Sequence, residues 1–152
     1  IYHSKDPAVT LNWQNNFSWK NWDFGFTLRS SIGNWVYNKN EVDNAFASRT
    51  AVPPISNLLN NVYLWQSTKT DMMQMSDYFV RNASFVRCDN ITLGYTWSEL
   101  LNNPLRIRLY GAVQNPFVIT KYNGVDPEVF SGIDNSVYPR PTTYSLGIVA
   151  SF

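Results

Sequence analysis

Asp126, Glu128 and Asp134 lie close together in the chain and are the side chains whose type and spacing come nearest to doing chemistry. Several carboxylate oxygens in one loop are what a hard cation such as calcium requires. Their spacing matches no known calcium loop, however, and Asp126-Pro127 and Asp134-Asn135 are equally good turn formers, so loop architecture is the preferred reading. The single histidine, His3, and single cysteine, Cys88, supply neither a nucleophilic triad nor a Cys/His metal centre nor an internal disulfide. No glycine-rich phosphate loop is present. The expectation is therefore a protein that is not an enzyme, with no cofactor and no resident metal. A net charge of +1 without a basic run argues against a nucleic-acid partner. The Asn-x-Ser/Thr sequons at Asn16, Asn82 and Asn90 are read as chance.

Three further charges, Arg29, Arg106 and Arg108, gain meaning only from the elements that carry them. Five segments alternate in the manner of strands, in which successive side chains face opposite sides. The first runs from about Val9 to Trp19. After the short turn Trp19-Lys20-Asn21-Trp22 the second sets Trp22, Phe24, Phe26 and Leu28 against Asp23, Gly25, Thr27 and Arg29, and is expected to continue through Gly33 to about Tyr37. The third covers about Ser84 to Trp97, with Ile91, Leu93, Tyr95 and Trp97 on one face. Its first half has the opposite parity, through Val86 and Cys88, which a bulge near Asp89 would reconcile. The fourth, from Leu105 to about Ile119, opposes Leu105, Ile107 and Leu109 to Arg106, Arg108 and Tyr110. The last, Thr142 to Phe152, places Tyr144, Leu146, Ile148 and Phe152 on one side and small, mostly polar residues on the other.

No apolar run approaches the roughly 18 residues of a membrane helix, but a transmembrane β-strand needs only about 9 to 11 residues with every second one apolar. Connections alternate between short turns and long loops, Asn38 to Asn82 and Thr120 to Pro141, as they do in outer-membrane barrels. A short helix over Asn57 to Tyr63, capped by Ser56, is expected within the first loop, after Pro53 and Pro54. If the last strand ends at the periplasm, Trp19, Trp22, Trp97 and Phe152 fall at the periplasmic rim. Trp35, Tyr37, Phe117 and Tyr144 then fall toward the outer one, making the two aromatic girdles of such barrels. The fold expected is all-β: about five antiparallel up-and-down strands at the C-terminal side of a large transmembrane β-barrel, with two long extracellular loops. Ile1 does not look like the start of an exported precursor, so the chain is read as an excerpt.

The residues that carry the strands also carry a family pattern. The stretch Ser84-Phe85-Val86-Arg87-Cys88-Asp89-Asn90-Ile91-Thr92-Leu93-Gly94-Tyr95-Thr96 resembles the late-barrel motif of the SusC/RagA family of TonB-linked outer-membrane transporters. So do Gln114-Asn115-Pro116-Phe117, then Thr120 to Glu128, Gly132 to Pro141 and the terminal Phe152, together with the upstream Trp19-Lys20-Asn21-Trp22. These cover nearly the whole chain in the family's order. The chain departs from the pattern at Cys88, where an aliphatic residue is usual, and around Met72 and Met73, where proline is common. The resemblance implies a barrel of about 22 strands filled by an N-terminal plug, importing glycans or peptides with energy delivered through TonB, under a SusD-like surface lipoprotein. Residues 1–152 are then the C-terminal segment of the barrel, and the plug, the TonB-contacting region and the earlier strands lie outside them.

On this reading Trp22, Phe24, Phe26, Leu28, Ile91, Leu93, Tyr95, Leu105, Ile107 and Leu109 face outer-membrane lipid, and Tyr144, Leu146, Ile148 and Phe152 mark the terminal strand used in barrel assembly. Arg29, Arg106 and Arg108 face the lumen, because charge facing lipid near the midplane costs roughly 2 to 4 kcal/mol. Tyr122, Asp126, Glu128, Tyr138 and Arg140 are assigned to the extracellular loop that meets the lipoprotein lid. Tyr63, Trp65, Tyr78 and Phe79 either pack the first loop or stack on sugar rings, the former being the commoner use. No substrate-binding residue is assigned. The competing functions are a soluble carbohydrate-binding β-sandwich, in which the aromatics are core and ligand platform, and a barrel serving as adhesin or secretion pore.

Overall fold

The structure is a computed structural model and describes residues 3–44, 76–98, 105–135 and 138–151. The expected helix over Asn57 to Tyr63, the aromatics Tyr63 and Trp65, most of the turn before Leu105, and Phe152 lie outside the described residues.

The chain divides into two compact units. One is a five-stranded antiparallel sheet in the order β1-β2-β5-β6-β8, from β1 (Val9–Trp19), β2 (Trp22–Ile32), β5 (Phe85–Trp97), β6 (Arg106–Thr120) and β8 (Thr143–Ser151). Its order is that of an up-and-down wall, in which each strand pairs with the one before it in the sheet-forming sequence. A two-residue turn closes the first hairpin, pairing Trp19 with Trp22, and Lys20 takes the left-handed conformation there with φ 54°. The Asn21 carbonyl accepts from the Thr96 amide at 2.8 Å, which ties the turn to β5.

The parity conflict in β5 is resolved where the sequence places it. Against β2 the successive residues Thr27 and Leu28 face Asn90 and Cys88, so Asp89 is the extra residue of a β-bulge, while against β6 the surplus is on the other strand, where Asn115, with φ 49°, and Pro116 lie opposite Asp89. The bulge returns Cys88 to the face of Ile91 and Leu93.

The second unit is built from the first residues of the chain and the two long connections. Here β3 (Trp35–Asn38) pairs antiparallel with β4 (Val80–Asn82) and parallel with the two-residue β7 (Ile133–Asp134). A short helix α1 (Lys39–Asn44) follows β3, its Glu41 amide donating to the Asn38 side chain at 2.9 Å, and a 3-10 turn (Asp77–Phe79) precedes β4. Its core is small: Val36, Ala83 and Tyr122 with Val129 in one cluster, Val42 and Phe79 with Tyr37 in another.

This arrangement corrects one expectation. The second strand does not run on to Tyr37. It stops at Ile32, because Gly33 turns the backbone with φ 88°, a conformation that favours glycine. Trp35 and Tyr37 therefore belong to the second sheet and form no girdle on the wall. Trp35 instead stacks on His3 with ring centroids 3.6 Å apart.

Candidate functional site

Directly paired residues of antiparallel strands share a face, so the register sorts every wall residue onto one of two surfaces. Across β2, β5, β6 and β8, one surface stacks the rows Phe24–Leu93–Gly111–Leu146 and Trp22–Tyr95–Leu109–Ile148, flanked by Phe26–Ile91–Val113–Tyr144. Leu28 and Ile107 lie on the same surface, and so do Trp13, Phe17 and Trp19 from β1. Leu105 precedes β6 with the same parity. None of these side chains enters a packed centre: Leu146 is 87% exposed and Ile148 71%. A soluble sandwich would bury such a face, whereas an apolar face without a core is what lipid solvates.

The opposite surface is mostly polar and carries two arginine–carboxylate forks. Arg108 Nε donates to Asp23 Oδ1 at 3.0 Å and Nη2 to Oδ2 at 2.5 Å, a two-pronged pair that crosses β5. Arg29 makes the same kind of fork to Asp89, at 3.1 and 3.2 Å, so the bulge residue aims its carboxylate at β2. Arg106 shares this face and is exposed. Sequence reading placed the three arginines together but missed Asp23 and Asp89 as their partners. Asp23 was already on the polar face of its strand, and the register was the absent information.

Aromatic edges cluster at the hairpin end of the apolar surface. Trp22 meets Tyr95 edge-on at 4.8 Å, Tyr95 meets Trp97 at 4.6 Å, and Lys20 lies 5.1 Å from the Trp19 ring centroid. Phe117 pairs with Cys88, toward the other end of the wall.

In the second unit, several buried polar groups pair with one another. The Tyr122 hydroxyl donates to Asp134 Oδ2 at 2.7 Å, and Asn40 Nδ2 donates to Asp134 Oδ1 at 3.1 Å. Burial first, then the neighbouring Asp134 carboxylate, raises the Tyr122 pKa well above the ordinary tyrosine value. Arg81 donates to the buried Glu41 at 3.1 Å and lies over the Tyr78 ring at 4.8 Å. Burial opposes the charge on Arg81, but the bond to Glu41 outweighs it and its pKa is raised. Asp126 is also buried and accepts from the Glu128 amide at 2.8 Å, the hydrogen bond of an Asx turn. Among the described residues no group of three or more His, Cys, Asp or Glu side chains is placed to hold a metal ion. Of the residues assigned to the loop, Tyr122 and Asp126 are interior, Glu128 is half-buried, and Tyr138 and Arg140 are exposed. Phe79 is buried in the loop core, and Tyr78 is partly exposed beside it.

No family model matches the chain. Comparison with known proteins gives a TonB-dependent receptor SusC from Bacteroides thetaiotaomicron that is 42% identical over 165 aligned positions, covering 99% of this chain. The chain belongs to the SusC/RagA family. A TonB-dependent receptor P3 from Formosa agariphila is 26% identical over 96% of the chain. The chain spans 16% of the length of each of these relatives. Among solved structures, that of the RagAB peptide transporter superposes on the whole chain with a TM-score of 0.83 at 25% identity, over 18% of its own chain. The RagAB peptide importer in its closed-closed state gives 0.79 at 24%. SusC/RagA receptors are outer-membrane β-barrels, and the five-stranded wall is part of such a barrel. No helix among the described residues is long and apolar enough to cross a membrane.

Proposed function

We propose that this chain forms part of the wall and the mouth of an outer-membrane importer that is driven through TonB and takes up glycans or peptides. The observation that carries the reading is the two-faced wall: a continuous apolar surface on one side, and arginine–carboxylate forks on the other. That division suits a sheet with hydrocarbon outside and a wet interior. On this reading the outward set is Trp22, Phe24, Phe26, Leu28, Ile91, Leu93, Tyr95, Leu105, Ile107 and Leu109, continued by Tyr144, Leu146 and Ile148. Arg29, Arg106 and Arg108 face the lumen and the plug. The similarity to a receptor named SusC and to RagAB, named a peptide importer, supports transport over catalysis, and the RagAB name supports peptides as one of the two substrate classes.

The second unit is the extracellular part, and its partner is a SusD-like lipoprotein. Tyr122 and Asp126 fold the loop from within, while Glu128, Tyr138 and Arg140 present it. The test uses the full-length receptor as the sole route for a panel of oligosaccharides and peptides, in cells with and without TonB. Uptake of at least one class is expected to disappear without TonB, and TonB-independent uptake refutes the mechanism. A tagged receptor is expected to co-purify with a surface lipoprotein, and wild-type complex formation and uptake after replacing Asp126 and Glu128 would remove these residues from that role.

A further inference from the structure

The wall holds four glycines within its strands, and three of them have an evident reason. Where a Cβ would stand at Gly25, the Asn16 and Thr92 side chains already lie. The Asp23–Arg108 pair occupies that place at Gly94, and the Tyr110 ring at Gly147. All three are on the polar face.

Gly111 differs on each count. It is the only glycine on the apolar face among the described strands, and its backbone is not in the left-handed region. A Cβ there would meet only the Leu146 Cδ2 at 3.4 Å and the Ser145 carbonyl at 4.0 Å, ordinary contacts. Glycine inside a strand costs stability through chain entropy and lost packing, so a position that needs neither its conformation nor its slimness calls for another cause.

Its effect is space. Gly111 sits between Leu93 and Leu146 in one row, and the missing side chain opens a groove along the apolar surface. One stretch of about 610 Å³ is walled by Trp22, Leu93, Tyr95, Trp97, Leu109 and Leu146. A second of about 350 Å³ continues past Val113 and Tyr144, sharing Leu93, Gly111 and Leu146 with the first. One end is polar: Tyr95 and Trp97 carry hydrogen-bonding groups, and the Asn21 side chain donates to the Tyr95 hydroxyl at 3.4 Å. Asn21 shares its turn with Lys20, whose ammonium lies 5.1 Å from the centroid of the Trp19 ring.

We infer that this groove binds one glycerophospholipid of the periplasmic leaflet, an acyl chain lying over Gly111 and the phosphate at the Lys20–Asn21 turn. An apolar channel ending in amide, phenol, indole and ammonium groups matches an amphipathic anion, and the ammonium complements its charge. The surface is already the one that meets lipid. This inference rests on the outward direction of the apolar face in the proposed function, with the Lys20–Asn21 turn taken as periplasmic.

The test is native mass spectrometry of the full-length receptor, extracted from outer membranes in mild detergent. Wild-type protein is expected to retain one phospholipid, and Gly111→Leu to lower the retained fraction at least about tenfold, the effect of filling the groove. Lys20→Gln is expected to lower it about fivefold, as loss of one charge near an anionic surface does. Gly111→Val serves if the larger side chain prevents folding, which the heat-shifted gel mobility of the barrel reports. Equal retention in wild type and filled variants overturns the site, as does no retained lipid, retained lipid A, or a lipid-free groove covered by a second copy. Uptake measured on the same variants is expected to stay at the wild-type rate, so loss of lipid with intact uptake separates this inference from the transport reading.

Discussion

Asp23 and Arg108 form a two-pronged ion pair across a strand to which neither belongs. Asp23 is on β2 and Arg108 on β6, and between them β5 presents Gly94, directly opposite Asp23 in the register. A Cβ at Gly94 would stand 2.5 Å from Asp23 Oδ1 and 2.7 Å from Arg108 Nη2. The pair can therefore cross β5 only because that position has no side chain. Three strands are tied by one contact.

Because both partners are partly exposed and end in movable groups, Gly94→Ala displaces the pair rather than the backbone. Gly94→Ala and Arg108→Gln are each expected to lower barrel stability by about 0.2–1 kcal/mol, the range for exposed pairs. The double variant is expected to lose no more than the larger single, since both remove one interaction. Urea unfolding of the full-length barrel measures all three, and additive losses would mean that Gly94 matters for another reason.

The two faces of the wall predict opposite tolerance to charge. Leu93→Arg on the apolar face is expected to cost about 2–4 kcal/mol near the midplane and to deplete folded receptor in the outer membrane. Ser145→Arg, on the other face, is expected to leave the folded yield near wild type. Equal depletion by both would contradict a lipid-facing surface.

Tyr122 makes the loop unit sensitive to alkali. Its folded pKa is raised by burial and by Asp134, so its contribution is intact below the ordinary tyrosine value of 10.0. Above that value the unfolded chain releases the proton while the folded loop keeps it. Stability then falls by about 1.4 kcal/mol per pH unit until the folded group also titrates. Hydrogen exchange of β3 and β7 is expected to accelerate above that pH in the wild type, and Tyr122→Phe to remove the dependence. At neutral pH the same variant is expected to cost about 1–3 kcal/mol, because Asp134 is fully buried and loses a donor.

Two glycines of the loop unit are expected to resist substitution for different reasons. Gly33→Ala forces a side chain into φ 88°, with the Ala8 Cβ 3.1 Å away, at a cost of about 1–3 kcal/mol. Gly124→Ala drives a methyl into the Tyr122 ring and the Asp134 carboxylate, and because a buried ring cannot swing aside the cost is about 1–3 kcal/mol. Limited proteolysis of the full-length receptor, cutting faster in the loops of both variants, provides the check.

Much of the wall was legible in the chain itself. Period-two alternation located the five strands to within a residue or two, except that the second ends at Ile32 and not near Tyr37, and the parity break at Val86 and Cys88 required the bulge found at Asp89. The resemblance in order and spacing from Trp19 to Arg140 was enough to name the family. What alternation could not reveal was where a strand changes sheets. Trp35 and Tyr37 fall on the parity of Asp23 to Arg29 rather than that of Trp22 to Leu28, but a bulge would shift parity in the same way, so only the backbone turn at Gly33 separates the wall from the loop unit.

The sequence by itself determined which residues share a face, because that follows from the local geometry of an extended chain. Tertiary structure alone decided who meets whom: that Asp23 reaches Arg108, that Asp134 receives Tyr122 and Asn40, and that β7 lies beside β3. Those contacts depend on register between segments distant in the chain, and register is set by the sum of many weak pairings rather than by any residue's own type.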